Sequence, residues 1–158
     1  MSYSIRPYQD TDLEAIKVIT LVGFAGVSLD HALEEKLGGE LAGHDWRWRK
    51  ACHVDEDIKE HAAGIFVAEV DSKILGYIST RLDPEAGKGR IPNLAVAASA
   101  RGQGIGRKLI GHVLEYFRTE GMGVAVIETM ASNPIGQTLY PSCGFEEVGR
   151  QIHYACRL

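Results

Sequence analysis

Much that would assign this chain to a functional class is missing from it. No run of about 18 apolar residues occurs, which argues against a transmembrane helix. The opening, MSYSIRPYQD, lacks the basic-then-apolar pattern of a secretory signal, so a cytoplasmic location with no membrane partner is expected. Cysteine is scarce: Cys52, Cys143 and Cys156 are three in number and show no CxxC spacing. An odd count without that spacing argues against a disulfide framework or a zinc site, so reduced thiols and no bound metal are expected. A basic excess is missing too. Lysine and arginine number 17 against 21 aspartates and glutamates, for a net charge of −4. That balance disfavours a nucleic-acid partner but leaves room for a small anionic ligand beside the local cations of Arg47–Lys50 and Arg101–Lys108.

What remains is the composition of a globular protein, 158 residues with 45% hydrophobic and 24% charged. That size suits one domain over residues 1–158, hiding roughly 68–70% of the unfolded chain's surface. Ser4–Tyr8 reads as a strand. Thr11 and Glu14 form a capping-box pattern before Leu13, Ile16, Ile19 and Leu21, so a helix follows. Ser28–Leu37 reads as a second helix; His44–His61 is polar and ambiguous between helix and loop. IFVAEV and ILGYISTRL are β-rich runs joined by Asp71-Ser72-Lys73, a hairpin pattern. Asp83–Arg90 reads as a loop and Ile91–Val96 as a strand. Gly104–Thr119 is helical, since Ile105, Leu109, Val113 and Phe117 recur every four residues. Val124–Met130 reads as a strong strand, Pro134–Ser142 as a short helix, and Gly144-Phe145 opens one or two last strands. Helices between strands after an early hairpin predict a mixed α/β sheet.

Between the strand and helix of NLAVAASARGQGIGRKLI lie Gly102, Gly104 and Gly106, followed by Arg107 and Lys108. Glycines let the backbone turn tightly and let a ligand approach. The first amides of a helix lack internal partners and carry partial positive charge. A strand, a glycine turn and a helix start therefore make a phosphate socket. The Rossmann pattern does not fit, because Arg107 stands where its last glycine belongs, and no Walker pattern occurs.

RGQGIG, Arg101–Gly106, matches the (Q/R)xxGx(G/A) motif of the GCN5-related N-acetyltransferases. NPIGQTLYPSCGF, Asn133–Phe145, resembles the same family's NxxAxxLYxxxGF signature, with Gly136 where alanine is usual, and SIRPYQDTDLEAI resembles its typical opening. The resemblance covers the whole chain and is densest in Ile91–Phe145. It implies an α/β fold with one central, mostly antiparallel sheet, splayed fourth and fifth strands and helices on both faces. It also implies acetyl-CoA as acyl donor. Main-chain groups of Leu94, Ala95 and Val96 would bond the pantetheine arm in the splay. Arg101 and the loop Gly102, Gln103, Gly104, Ile105, Gly106 and Arg107 would hold the diphosphate. Asn133 corresponds to a residue that bonds pantetheine or nearby backbone.

The same resemblance places Tyr140 on the tyrosine assigned as acid for the departing CoA thiolate, next to the carrier. For the base, Glu128 interrupts an apolar strand and shares a face with Val124, Val126 and Met130. A carboxylate there must be solvated, paired or neutral, and partial burial would raise its pKa. Its spacing from Tyr140 resembles the acid–base pair of the ribosomal-protein acetyltransferase branch. Arg90 stands near the position where histone-type members carry their base glutamate. The acceptor pocket would be lined by roughly Val22–His61, with Trp46, Trp48, His44, His53, Asp55, Glu56 and Asp57 as an acidic, aromatic lip suited to a cationic amine. DWRWRK is equally basic, so a charged, solvated helix stays open. The acceptor is a small-molecule amine or a peptide or protein amine. A homodimer is compatible with the family. The competing readings are an acyltransferase with another acyl group or a hydroxyl acceptor, and a non-catalytic acyl-CoA-binding module.

Overall fold

The structure is a computed structural model and describes residues 3–158. Its strands are β1 (Ser4–Pro7), β2 (Phe66–Val70), β3 (Lys73–Ile78), β4 (Arg81–Asp83), β5 (Lys88–Ile91), β6 (Leu94–Val96) and β7 (Val124–Ile127). Its α-helices are α1 (Leu13–Phe24), α2 (Leu29–Leu37), α3 (Trp46–His61), α4 (Ile105–Thr119) and α5 (Pro134–Ser142). The sheet comes in two halves, an antiparallel β1-β2-β3-β6 and a β4-β5-β7 in which β5 and β7 run parallel.

The alternation of side chains along β2 sorts the core. Val67 turns to one face, with Tyr77 and Ala95, under Ile16 and Ile19 of α1 and Val54 of α3. Phe66 and Ala68 turn to the other, under Leu109, Ile110, Val113 and Phe117 of α4. Each such aliphatic or aromatic side chain contributes about 1.5–3 kcal/mol by burial. Helices thus cover both faces, as the resemblance implied.

The chain crosses between the half-sheets at Ser79-Thr80 after β3, at Pro92-Asn93 before β6, and again through α4 on its way to β7. Pro92 has no N–H to give to a ladder. Buried side chains complete the main-chain bonding there instead. Ser79 N–H donates to the Asn93 carbonyl at 2.9 Å. Asn93 N–H donates to Ser79 Oγ at 3.1 Å, and Thr80 Oγ1 donates to the Gly64 carbonyl at 2.7 Å. The β5–β7 ladder runs from Lys88 opposite Val124 to Ile91 opposite Ile127 and stops. Beyond it β6 follows β3 while Glu128–Met130 diverge, and a gap opens between them.

Several expectations need correction. The Thr11–Glu14 pattern is not the cap of α1. The box falls two residues earlier, on Gln9 and Asp12: the Asp12 carboxylate accepts the Gln9 N–H at 2.9 Å and two Arg6 N–H bonds at 2.7 and 2.9 Å, and those bonds hold its carboxyl below the usual range. His44–His61 resolves into a helix whose start is capped by Asp45, which accepts the Trp48 N–H at 2.9 Å. Asp83–Arg90 is no plain loop, because Lys88–Ile91 pairs on both edges. The strand expected over Ile91–Val96 is split at Pro92. β7 ends at Ile127, short of Met130. No strand follows it among the described residues. Gly144 sits at φ 93°, Phe145 still packs against the core, and the tail beyond runs exposed, with Val148 at 97% and Tyr154 at 90%. Its far end is held by Arg157, which donates to the carbonyls of Leu37 and, at 2.6 Å, Gly38. A cation is favourable at that helix terminus.

Candidate active site

A cleft of about 840 Å³ occupies the gap beside β6. By strand alternation Asn93, Ala95 and Ala97 direct their main-chain groups to β3; Ala97 N–H, for example, donates to the Leu75 carbonyl at 2.8 Å. The main chain of Leu94 and Val96 therefore faces the gap, and that of Ala95 is committed to the sheet. Arg101 Nε donates to the Val96 carbonyl at 3.3 Å.

The glycine loop follows. Gly102 and Gly104 sit at φ 75° and 76°, where a side chain is strained. The main-chain bonds stop at Arg101 N–H and resume at Lys108 N–H. The amides of Gly102 through Arg107 thus have no acceptor among the described residues, at the positive end of a 15-residue helix. The cations behave otherwise than the sequence suggests. Arg107 donates to the Ser142 carbonyl at 2.7 Å and Lys108 lies 5.5 Å from the Tyr3 ring centroid. Both serve packing. The wall of the cleft includes Arg101 and the loop residues, but not Gln103.

The opposite wall is α5. Asn133 caps it: its Oδ1 accepts the Gly136 N–H at 3.4 Å and its Nδ2 donates to Thr129 Oγ1 at 2.9 Å. Of the two roles implied for Asn133, the structure displays the bond to nearby backbone. Gly136, in place of the usual alanine, has a local cause. A Cβ there would lie 2.7 Å from Thr129 Oγ1. Tyr140 lines the cleft. Its hydroxyl has no partner among the described residues, and burial pushes its pKa up to about 12. Glu128 also lines the cleft, but it lies outside the strand. Its side chain is 63% exposed and its carboxylate pairs with Arg90. The burial expected of it on an apolar strand is absent.

The other end of the cleft is lined by residues of α1, α2 and α3, and here the structure does not form the acidic, aromatic lip that the sequence suggests. Trp46 is buried and stacked on His31 at 4.4 Å, and Trp48 stacks on His44 at 3.6 Å. Asp55 pairs with Lys17 at 2.7 Å. Asp57 is 2% exposed and lies beneath the crossover, where it accepts Ser79 Oγ and Asn93 Nδ2 at 2.6 Å each and Arg81 at 3.1 Å. Of the expected lip only His53 reaches the cleft. Sequence reasoning missed Asp30, Lys50 and Phe24, which line it too. Asp30 and Phe24 carried no distinguishing signal; Lys50 lay inside DWRWRK, a run that reads as solvated charge. Among the described residues no group of three or more His, Cys, Asp or Glu side chains is placed to hold a metal ion. No single helix among them is long and apolar enough to cross a membrane.

A glycine loop at a helix start beside splayed parallel strands defines a class of acyl-carrier-binding folds, and comparison with known proteins gives it a family. Residues 29–145 match the acetyltransferase (GNAT) family, and the chain belongs to that family. It is 30% identical over 122 residues to N-acetyltransferase 8B of Rattus norvegicus, covering 70% of this chain and 55% of that one. To the mycothiol acetyltransferase of Rhodococcus jostii it is 27% identical over 167 residues, covering 95% and 54%. The chain spans about half the length of the curated relatives it matches. Among solved structures, PH1933 of Pyrococcus horikoshii OT3 superposes with a TM-score of 0.72 at 25% identity, covering 95% and 92% of the two chains. A PaiA N-acetyltransferase of Thermoplasma acidophilum in complex with coenzyme A superposes at 0.71 and 19% identity, covering 92% and 91%.

Proposed function

We propose that this protein moves the acetyl group of acetyl-CoA to a primary amine by direct attack within a ternary complex. The observation that carries the reading is the unbonded run of amides from Gly102 to Arg107, opening onto a cleft whose far wall presents Tyr140. A diphosphate offers those amides the acceptors they lack. The outward groups of Leu94 and Val96 suit an amide-bearing pantetheine arm, which would replace Arg101 at the Val96 carbonyl and free Arg101 for the phosphates. Family membership and acetyltransferase relatives support the same donor.

In this reaction a C–N bond forms, the C–S bond breaks, and charge develops first on the thioester oxygen and then on sulfur. An outward amide of β6 stabilises the oxygen. Tyr140 serves the sulfur. With its pKa near 12 it stays protonated at neutral pH, while an ordinary thiol titrates near 8.5. Complete proton transfer from phenol to thiolate is therefore uphill by about 3–4 pKa units, or roughly 5 kcal/mol. Tyr140 acts as a hydrogen-bond donor to the developing thiolate.

Tyr140→Phe removes only that donor. We expect acetyl-CoA turnover against a primary-amine panel to fall about 10²-fold, with calorimetric affinity for acetyl-CoA held within about twofold. Unchanged turnover would remove Tyr140 from the reaction. Carrier binding by the native protein without turnover on any amine would favour the non-catalytic module instead.

A further inference from the structure

Acetyl transfer leaves one requirement unassigned. The acceptor amine arrives as an ammonium and must lose a proton before it attacks. Both carboxylates in the cleft are already engaged. Glu128 pairs with Arg90, and Asp30 lies 3.6 Å from Arg49 Nε and 3.4 Å from His53 Nε2. Between Asp30 and the β5–β6 crossover stands Lys50, with only 6% of its surface exposed. Its Nζ donates to Asn93 Oδ1 at 2.7 Å, lies 3.4 Å from His53 Nδ1 and sits 3.9 Å from the Phe24 ring centroid. No carboxylate touches it directly. Asp30 lies beyond His53 and Asp57 beyond Asn93, and those carboxylates are held in turn by Arg49 and Arg81.

These contacts set the tautomer of His53. Nε2–H faces Asp30 and the Nδ1 lone pair faces Lys50. The imidazole is 41% exposed, so the chain Lys50–His53 runs from the cleft to solvent. Burial lowers the Lys50 pKa to about 8, against the weaker opposing pull of Asp30 and Asp57. Two groups that line the cleft are thus driven apart, Tyr140 upward and Lys50 downward, which is how an acid and a base are made from ordinary side chains.

Resting on the acetyl-transfer reading above, we propose that the neutral amine of Lys50 is the base that takes the acceptor's proton and passes it through His53 to solvent. The ammonium acceptor gives one proton to Lys50 Nζ and becomes a free amine. That amine attacks the thioester carbon, the C–N bond forms, and the C–S electron pair leaves on sulfur. The second proton, shed as the amide forms, ends on the thiolate at the Tyr140 side. Lys50 returns its proton to His53 Nδ1, His53 releases the one on Nε2, and proton exchange with solvent at the half-exposed imidazole restores the starting tautomer.

Two measurements on the whole chain test this. The first needs no acceptor. The native pKa near 8 lies below the ordinary 10.5, so between those values the unfolded state binds more protons and native stability rises with pH. The urea midpoint of the native protein should therefore gain on that of Lys50→Met from about pH 8 to 10. A flat difference overturns the proposal. The second is kcat against pH for a peptide α-amine, a lysyl peptide and spermidine. Native kcat should rise through an acidic limb near pH 8 whichever amine is used. Lys50→Met and Lys50→Arg should lose about 10²- to 10³-fold and the limb with it, with acetyl-CoA affinity unchanged. Lys50→Arg keeps charge and reach but cannot deprotonate, so it separates chemistry from packing. His53→Ala should lose about tenfold and recover in free imidazole. If Lys50→Arg retains the native rate within about threefold, or keeps the limb, Lys50 is not the base. If the native protein acetylates no amine, the acetyl-transfer reading itself falls.

Discussion

The two walls of the cleft are built from different parts of the polypeptide. The donor wall, Leu94–Arg107, presents main chain: outward groups of β6 and amides with no internal acceptor. The acceptor wall presents side chains, Asp30, His53, Lys50 and Asn93, each within hydrogen-bonding reach of the next. Main-chain recognition depends on where glycines fall in a short run. Side-chain recognition of the second kind depends on residues brought together from α2, α3 and the sheet crossover. The first tolerates most substitutions except those that add a Cβ; the second is broken by removing any one link.

The largest effect should come from cutting the acceptor wall at its base. Asp57 lies beneath the crossover. It receives Ser79, Asn93 and Arg81, and it is 2% exposed. Asp57→Ala strands buried donors and leaves the Arg81 charge without its partner. We expect about 3–5 kcal/mol of lost stability in urea unfolding. A loss below about 1 kcal/mol would show that the crossover holds without this carboxylate, and that the walls differ less than their bonding suggests.

A smaller effect, confined to ligand binding, should follow at the donor wall. At Gly104, φ is 76° and a Cβ would meet nothing within 4 Å. Gly104→Val therefore creates no internal clash. It strains one residue by about 1–2 kcal/mol and fills the space before the free amides. Calorimetry should show acetyl-CoA binding weakened roughly 10- to 100-fold, with the folded state kept. Unchanged affinity would mean that the diphosphate sits elsewhere.

That contrast also explains what could be read in advance. The helix face Ile105, Leu109, Val113, Phe117 and the span Pro134–Ser142 were legible because period and capping act within a few residues. The placement of Arg101–Gly106 between strand and helix was legible for the same reason. Lys50 was not. DWRWRK reads as a solvated basic run, and only the fold reveals that Trp46 and Lys50, one turn apart, both point inward. Asp57 was misplaced on a lip because its partners Ser79, Arg81 and Asn93 lie on other elements. The last strands failed for another reason. The tail alternates apolar and polar residues well enough, but no backbone ladder receives it.

The smallest predicted effect sharpens the comparison most, because it concerns Glu128, the base the sequence suggests, against Lys50, the base we propose. Glu128 interrupts an apolar run, which reads as a carboxylate on a buried strand. It stands instead just past the end of β7, 63% exposed and paired with Arg90. An exposed pair of this kind contributes about 0–1 kcal/mol. Glu128→Gln should accordingly change stability by less than about 1 kcal/mol, lower kcat by less than about threefold, and leave the acidic limb in place. A loss above about tenfold together with loss of that limb would return the base to Glu128. Arg90 would then have to release it when the acceptor binds, and the buried chain through Lys50 would be left as scaffolding for the crossover.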